Sequence, residues 1–326
     1  MLKKILRSRA TRWAFVAVAL AFGGYEVARQ WDQLAHALGQ LSPLAIAGAL
    51  ICVLAGLVGT LRTWQHLLAG LGSPLPVTAA ARVLFIGQLG KYLPGAVWPV
   101  LAQMELGATH QVPRHRSASA SVLTMLASLL TGLLAAAVTL PLTGHAGSYR
   151  WAYAAVPVLL ACLHPRVLRR GMDWLLRLAR QPPLQHPLSG TALAWALAWS
   201  LSAWVCNGLQ IWLLVPDRSD ASLLVLSVGA YAFAWCVGFL IVFAPSGLGV
   251  REVLLVTMLA PMVGAGTATA VALVSRVLTT VSDLLCAAVA ASSHRKTKAA
   301  QETAESRYTA ALAPRCPGPA ARVPVT

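Results

Sequence analysis

Two long apolar stretches of this chain are interrupted by Pro and Gly in the same way, 151 positions apart. Gly87 precedes Pro94 by seven positions, and Gly238 precedes Pro245 by seven. At least one more glycine follows each proline, beginning with Gly95 in the first stretch. A helix stops at such a sequence, because Pro removes a backbone donor and Gly loosens the chain. A broken helix at membrane depth is tolerated only where it is buried or lines a watery cavity, so the pair predicts a transporter-like binding site.

The composition is typical of a protein with many membrane-spanning segments. Of the 326 residues, 57% are hydrophobic and only 11% are charged, which is not the balance of a soluble domain. The formal net charge is +16. Most basic residues fall in short segments between or beside the apolar stretches, as they do in cytoplasmic loops of membrane proteins. No nucleic-acid-binding motif accompanies them, so we expect no nucleic-acid partner.

Eight apolar segments follow one another along the chain. They are 13–28, 43–61, 77–106, 117–140, 150–163, 191–214, 222–262 and 267–291. A transmembrane helix needs about 20 apolar residues. Segments 77–106 and 222–262 contain the two breaks, and each is long enough to enter the membrane and return as a hairpin.

The positions of Lys and Arg favour hairpins over single spans. Residues 1–12 carry five basic residues and no acidic one, and the loop 164–190 carries five Arg against one Asp. Both should therefore be cytoplasmic. If each broken segment crossed the membrane once, the loop would lie outside. If both are re-entrant hairpins, six full spans remain, and the loop and both termini lie inside.

A shift of 151 positions also lays the half 43–140 on the half 194–291, hairpin on hairpin. The crossing count makes the two halves inverted, with the first hairpin entering from the cytoplasm and the second from outside. Inverted repeats with broken helices are a recurring transporter plan. We therefore predict an all-α integral membrane protein of about six full transmembrane helices plus two re-entrant hairpins in an inverted repeat, with one membrane domain over 1–291.

Two regions outside the spans remain. The basic stretch 165–180 mixes Arg with Leu and Trp, and it is either an in-plane amphipathic helix on anionic lipid or a plain basic loop. Residues 292–326 are rich in Ala, Pro and charge and have little to bury. Such a composition predicts a disordered cytoplasmic tail.

Ionisable residues within the apolar segments are the first candidates for function, because charge inside a membrane is costly. The principal ones are Lys91, Arg251, Glu252, Arg276 and Asp283. One interpretation is ion pairing that holds the hairpins to the bundle, with Glu252, Arg276 and Asp283 as the structural members. The other is a polar, partly cationic cavity between the hairpins.

The breaks also predict an anion site. A half-helix that begins near 96 and another near 250 would direct free N–H groups and positive dipole ends to the protein centre. Ser246, Gly247 and Gly249 give the backbone room to curl around a ligand oxygen. With Arg251 beside them, the natural ligand is a phosphate. Trp98 directly follows the first break and is a further cavity candidate.

Catalytic chemistry is not expected from this sequence. It contains no His/Asp/Glu cluster with metal-ligand spacing, no nucleophile motif and no nucleotide-binding loop. We therefore expect neither an enzyme nor a cofactor or metal site.

The interrupted segments resemble those of a known family, the lysylphosphatidylglycerol synthase transmembrane-region proteins, also called the flippase-like domain family. The resemblance covers about 10–291 and is carried by Gly87 to Trp98 and by Ala244 to Glu252, with weaker support from Arg276. The motif residues that carry over are Lys91, Pro94, Gly95, Pro245, Gly247, Gly249, Arg251, Glu252 and Arg276.

The resemblance implies a membrane domain that handles phospholipid or lipid-linked substrates and in some members moves them between leaflets. The synthase proper carries a soluble aminoacyl-transferase domain after its membrane region. This chain has only the short tail there, so aminoacylation of lipid is not expected.

The leading hypothesis is a plasma-membrane translocator that binds an anionic phospholipid or a lipid-linked phosphate between the hairpins. The binding residues would be Lys91, Pro94, Gly95, Trp98, Ser246, Gly247, Gly249 and Arg251. The alternative is a non-transporting membrane subunit that binds or presents lipid to a separate synthase or glycosyltransferase. A membrane-embedded transferase is a third class, which lacks a visible acid–base or nucleophilic set.

Overall fold

The computed structural model describes residues 41–92, 97–143, 153–178, 189–216, 220–241, 247 and 249–312, with side chains as far as position 292. Within these ranges the backbone forms ten α-helices and two short 3-10 turns, with no strand. The first group of helices is α1 (Pro43–Gly70), α2 (Val77–Gln88), α3 (Val97–Ala108) and α4 (Arg114–Thr139). A middle pair follows, α5 (Ala155–Leu163) and α6 (Pro165–Leu178). The second group is α7 (Gly190–Leu214), α8 (Ala221–Leu240), α9 (Val250–Val263) and α10 (Ala265–Leu312).

Five of these helices are long and apolar enough to cross a membrane, judged by length and composition. They are α1, α4 with the turn that follows it, α7, α8 and the part of α10 that ends at Ser292. Large apolar side chains project from the outside of the bundle; Leu44, for example, is 85% exposed and Ile51 66%. Exposed apolar surface of this extent is typical of contact with lipid. The chain is therefore an all-helical, multi-pass membrane protein, as its composition predicts.

The helix lengths can be compared with the predicted spans. Four of the six predicted full spans coincide with α1, α4, α7 and α10. The fifth, 13–28, lies outside the described residues. The sixth, 150–163, contains only the nine residues of α5. In the second predicted hairpin, α8 alone has 20 residues, about 30 Å of helix, whereas α2 and α3 of the first have 12 each.

Local sequence accounts for where several helices begin. The Ser42 hydroxyl accepts a hydrogen bond from the Ala45 N–H at 3.1 Å, and Pro43 is the first residue of α1. The Asp220 carboxylate accepts from the Ser222 N–H at 2.8 Å at the start of α8. Both arrangements satisfy backbone donors that a helix leaves free in its first turn.

The most extensive contact between two described helices joins α1 to α7. A Cβ added to Gly59 would lie 2.9 Å from the Trp199 carbonyl oxygen. Near the same contact, the buried Thr63 hydroxyl donates across the interface to the Ala196 carbonyl at 3.1 Å. Small residues and interhelical hydrogen bonds are the usual means by which membrane helices approach closely.

The remaining contacts form corresponding sets around this central pair. The helix α1 packs on α4 as α7 packs on α10, and α2 packs on α3 as α8 packs on α9. Across the pair, α2 contacts α10 as α8 contacts α4, and α4 contacts α7 as α10 contacts α1. Each of these contacts among the eight helices thus has a counterpart in the other group of four.

The two regions outside the spans are helical where they are described. The basic stretch forms α6, in which Trp174 is 66% exposed and Val167 is 44% exposed. The helix α10 continues past the last apolar segment as far as Leu312, into the stretch for which composition predicts disorder. Ala, Gln, Glu and Lys in this stretch are all good helix formers. Residues 313–326 lie outside the described ranges.

Candidate functional site

Close backbone contact brings α2 and α3 together at the first break. A Cβ on Gly87 would lie 2.4 Å from the Gln103 Cγ, and one on Gly90 would lie 2.7 Å from the Pro99 nitrogen. Only glycine permits this approach. The short 3-10 turn Leu89–Tyr92 follows α2 and carries Lys91. This turn packs against α3.

Close contact of the same kind brings α8 and α9 together at the second break. Gly247 has a φ of +70° and lies against Gly238, and an added Cβ there would come within 3.0 Å of the Gly238 Cα. Gly249 has a φ of +80° and directly precedes α9. Both φ values lie in the left-handed region, which glycine adopts without steric cost. Because Gly249 can adopt this φ, α9 can begin at Val250, and Arg251 then lies in its first turn.

A cavity of about 240 Å³ lies between the two breaks. Each of the eight helices α1–α4 and α7–α10 contributes at least one residue to its lining. Apolar and aromatic side chains form most of the wall, and hydroxyl and amide groups such as Thr60 and Asn207 interrupt it. Lys91 and Arg251 are the charged residues of this lining. Residues beside both of the breaks predicted from the sequence therefore line this cavity.

Lys91 has an acidic partner. Its Nζ lies 2.5 Å from the Asp283 Oδ2 of α10, and the Tyr92 hydroxyl donates to the same oxygen at 2.8 Å. Asp283 is 4% exposed. The pair ties the turn after α2 to α10, the last described helix, and it offsets the charge that Lys91 brings to the cavity wall.

A second ion pair joins α9 to α10. The Glu252 Oε1 lies 3.5 Å from the Arg276 Nη1, and the Glu252 Oε2 accepts from the Gly249 N–H at 2.8 Å. The Glu252 carboxylate therefore contacts both the N-terminus of α9 and the neighbouring helix α10. Because Arg251 is the residue before Glu252, these contacts also fix the backbone that carries Arg251.

Arg251 differs from Lys91 and Arg276, the other cations in or beside the cavity. It is 7% exposed, and its guanidinium carbon lies 4.4 Å from the centroid of the Tyr231 ring. Among the described residues, no carboxylate lies within ion-pairing distance of it. A cation–π contact compensates a buried charge only in part. The guanidinium can therefore hold an anion that enters the cavity.

Aromatic rings form one wall of the cavity beside Arg251. Trp235 packs edge-on against Trp204 with ring centroids 5.2 Å apart, and it stacks on Phe239 at 5.2 Å. Tyr231, Trp235 and Phe239 follow one another on α8 at intervals of four residues, so they share one helix face. This wall is suited to apolar or amphiphilic contact.

Sequence reasoning missed the polar groups buried in the apolar helices around the cavity. Ser121 of α4 donates a hydrogen bond to the Gln103 Oε1 of α3. Thr131 of α4 and Ser200 of α7 share a hydrogen bond of 2.7 Å, and the Trp204 Nε1 donates to Thr131 at 3.1 Å. The available signal was polar residues within segments that should face lipid or neighbouring helices.

The structure brings together three residues of the predicted binding set. Lys91, Gly247 and Arg251 all line the cavity, and Gly249 lies at the start of α9 beside it. Trp98 is 37% exposed and lies next to the lining residue Pro99 without lining the cavity itself. The other three members, Pro94, Gly95 and Ser246, lie outside the described residues.

The predicted structural ions also have defined places. Glu252 of α9 pairs with Arg276 of α10, and Asp283 of α10 pairs with Lys91 in the turn after α2. The described residues contain no group of three or more His, Cys, Asp or Glu side chains that could hold a metal ion.

Comparison with known proteins identifies a family. The family model described as the lysylphosphatidylglycerol synthase TM region matches residues 10–287. That range contains the cavity, both breaks and both ion pairs. No curated protein matches the chain.

Proposed function

Because the chain belongs to the lysylphosphatidylglycerol synthase TM region family, we propose that this membrane protein moves a phospholipid or lipid-linked phosphate between leaflets. The family connects the chain to membrane lipids. Translocation is the specific activity that we assign to it. The head group would occupy the cavity between the breaks, and the lipid chains would remain in the bilayer.

One observation carries the proposal: Arg251 is buried, faces the cavity and has no carboxylate partner among the described residues. An isolated buried charge is expensive, because neither water nor a counter-charge compensates it fully. A phosphate head group would supply that counter-charge and could accept bidentate hydrogen bonds from the guanidinium. The N-terminal turn of α9, which carries Arg251, adds favourable dipole and N–H groups.

The remaining surroundings suit an amphiphile better than a free anion. Trp204, Trp235 and Phe239 give the cavity an apolar side. Ile241, which also lines the cavity, is 37% exposed. A lipid could place its phosphate at Arg251 while its glycerol or prenyl portion contacts the aromatic wall.

The proposed topology is two hairpins that enter from opposite faces of the plasma membrane, with both termini cytoplasmic. The support from helix length concerns the first hairpin: α2 and α3 have 12 residues each, about 18 Å, which is too short for a hydrocarbon core of about 30 Å. In the second, α9 with 14 residues is also too short, whereas α8 with 20 residues is long enough to cross. The paired contacts around α1 and α7 support a repeat. The basic loop and N-terminal segment support the orientation.

The same cavity supports a function without covalent chemistry. Its described lining contains Ser, Thr and Tyr hydroxyls but no His, Cys, Asp or Glu. General acid–base catalysis most often uses His, Asp or Glu within reach of the substrate, so this lining favours binding and movement of lipid over turnover.

Leaflet exchange of fluorescent phospholipids in proteoliposomes tests the proposal. We expect Arg251→Ala to reduce protein-dependent exchange at least about tenfold, because loss of a charge-assisted contact is worth about 1.5–3 kcal/mol. Arg251→Lys should retain part of the rate. Arg169→Ala, on the exposed surface of α6, is the matched control and should exchange lipid like the wild type.

Equal exchange rates for the wild type and Arg251→Ala would contradict the site assignment. Lipid binding that depends on Arg251, without any exchange, would instead favour the alternative function, presentation of lipid to a separate membrane enzyme.

A further inference from the structure

The charges around the cavity do not cancel. Three cations lie in or beside it, Lys91, Arg251 and Arg276, and two carboxylates pair with them. Asp283 offsets Lys91 and Glu252 offsets Arg276. The segments 93–96 and 242–246, which adjoin the lining residues in the chain, contain no ionisable side chain. The described site therefore has a net charge of one positive unit, located at Arg251.

Given the proposed function, on which this step rests, we infer that the cavity selects head groups with a single negative charge, and that Asp283 sets this selectivity by neutralising Lys91. The fitting substrate class is a phosphodiester lipid. A phosphomonoester, which carries about −1.5 to −2 charge at neutral pH, does not match a site of one net positive charge. Lipid diphosphates match still less well.

The position of Lys91 makes Asp283 the deciding residue. Lys91 lines the cavity and its side chain is 32% exposed, whereas Asp283 is nearly buried behind it. Without the carboxylate, Lys91 would present a second full charge to the ligand. Asp283 acts through Lys91 and does not itself line the cavity, so it is a positioning residue and not a direct ligand.

Electrostatics in a buried site make this difference large. A doubly charged head group beside Arg251 would leave one negative charge without a partner, and burial of an unpaired charge is costly. A singly charged head group would neutralise Arg251 and leave no charge in the site without a partner. The same reasoning predicts that an additional cation would reverse the preference.

The test compares two lipids that differ by one methyl group and one charge. Fluorescently tailed phosphatidylmethanol is a diester, and phosphatidic acid with the same acyl chains is a monoester. Binding of each to the purified full chain in nanodiscs of zwitterionic lipid is measured at pH 8 by fluorescence polarisation. The readout is the ratio of the two affinities. We expect the wild type to bind phosphatidylmethanol more tightly.

Asp283→Asn should move that ratio towards phosphatidic acid by about tenfold or more, because it exposes the charge of Lys91 at close range. The double variant Lys91→Gln with Asp283→Asn restores the original charge and should restore the wild-type ratio. Tyr92→Phe is the matched control. It removes the other hydrogen bond to Asp283 without a change of charge, so the ratio should stay at the wild-type value.

Several results would overturn the inference: a wild type that prefers phosphatidic acid, an unchanged ratio in Asp283→Asn, or a double variant that behaves like Asp283→Asn. A shift in Tyr92→Phe as large as that in Asp283→Asn would show that geometry, and not charge, decides.

Failure of the proposed function is distinguishable from failure of this inference. If Arg251→Ala leaves binding of both lipids unchanged, the site itself is misassigned and both proposals fall. If binding depends on Arg251 but the ratio does not respond to Asp283, only the charge selection is wrong.

Discussion

Arg251 combines its proposed role in phosphate binding with an aromatic support. Its guanidinium lies 4.4 Å from the centroid of the Tyr231 ring, on the neighbouring helix α8. The ring face attracts the cation and limits its side-chain freedom. A guanidinium held in one orientation loses less entropy when it binds a phosphate. Tyr231 is therefore expected to influence lipid binding without contacting the phosphate.

Replacement of the ring tests this support. Tyr231→Leu should weaken Arg251-dependent lipid binding roughly fivefold, since a partly buried cation–π contact is worth about 1 kcal/mol. Tyr231→Phe keeps the ring and should stay within about twofold of the wild type. Fluorescence polarisation with phosphatidylmethanol measures both. Equal losses in the two variants would assign the effect to the hydroxyl and contradict the stacking role.

At the level of elements, the glycines at the second break determine how closely α8 and α9 approach. Gly247 has two requirements at once, a φ of +70° and contact with Gly238. Gly264, between α9 and α10, has a φ of +82° but open space where a Cβ would lie. Gly266, in the first turn of α10, has open space as well and no unusual φ. Substitutions at the three positions therefore distinguish the energetic cost of a left-handed φ from the cost of steric crowding.

Alanine at each position should give a ranked series of stabilities. Gly266→Ala should be neutral or slightly stabilising, because Ala is the better helix former by up to about 1 kcal/mol. Gly264→Ala should cost about 1–2 kcal/mol for its left-handed φ. Gly247→Ala should cost more than Gly264→Ala, because crowding against Gly238 adds to the strain. Thermal unfolding of the purified variants in detergent gives the order, and an equal loss for Gly247 and Gly264 would refute the crowding argument.

The sequence allowed the breaks to be predicted but not the partners of the charges. Pro and Gly act locally, so the ends of α2 and the start of α9 follow from a few neighbouring residues. The pairing of Lys91 with Asp283 depends on which helices meet, and the sequence indicated only that both are ionisable residues within apolar segments. Trp98 follows the first break directly, yet its side chain does not line the cavity, because position along the chain does not fix side-chain direction.

At the scale of the whole molecule, eight of the ten described helices form two corresponding groups that surround a cavity. Hydropathy predicted most spans, because length and apolar content suffice for a helix that crosses the membrane. The helix α8 has 20 residues and its counterpart α2 has 12. Under the shift of 151 positions, Gln88 and Leu240 lie one position apart, so the difference arises at the starts, where α8 begins seven positions before the counterpart of Val77.

The sidedness of the molecule follows from the proposed arrangement and can be measured. In a cysteine-free background, Thr109→Cys and Gly171→Cys should react with an impermeant reagent from the cytoplasmic side, and Ala221→Cys from outside. An odd number of crossings separates positions 109 and 221 in the proposed topology, and an even number separates 109 and 171. Spheroplasts and inverted vesicles provide the two sides. Labelling of positions 109 and 221 from one side would refute the topology.

The pair formed by Tyr92 and Asp283 has a consequence for biogenesis. These residues lie 191 positions apart in the chain. At about 5–20 residues per second of synthesis, the segment that contains α2 and Lys91 leaves the ribosome roughly 10–40 s before the helix that carries the carboxylate. Throughout that interval Lys91 lacks its acidic partner, so the contact of this segment with Asp283 can form only after α10 has been inserted. An early part of the molecule thus acquires one of its contacts late, and a chain truncated before position 283 would lack the carboxylate that offsets Lys91.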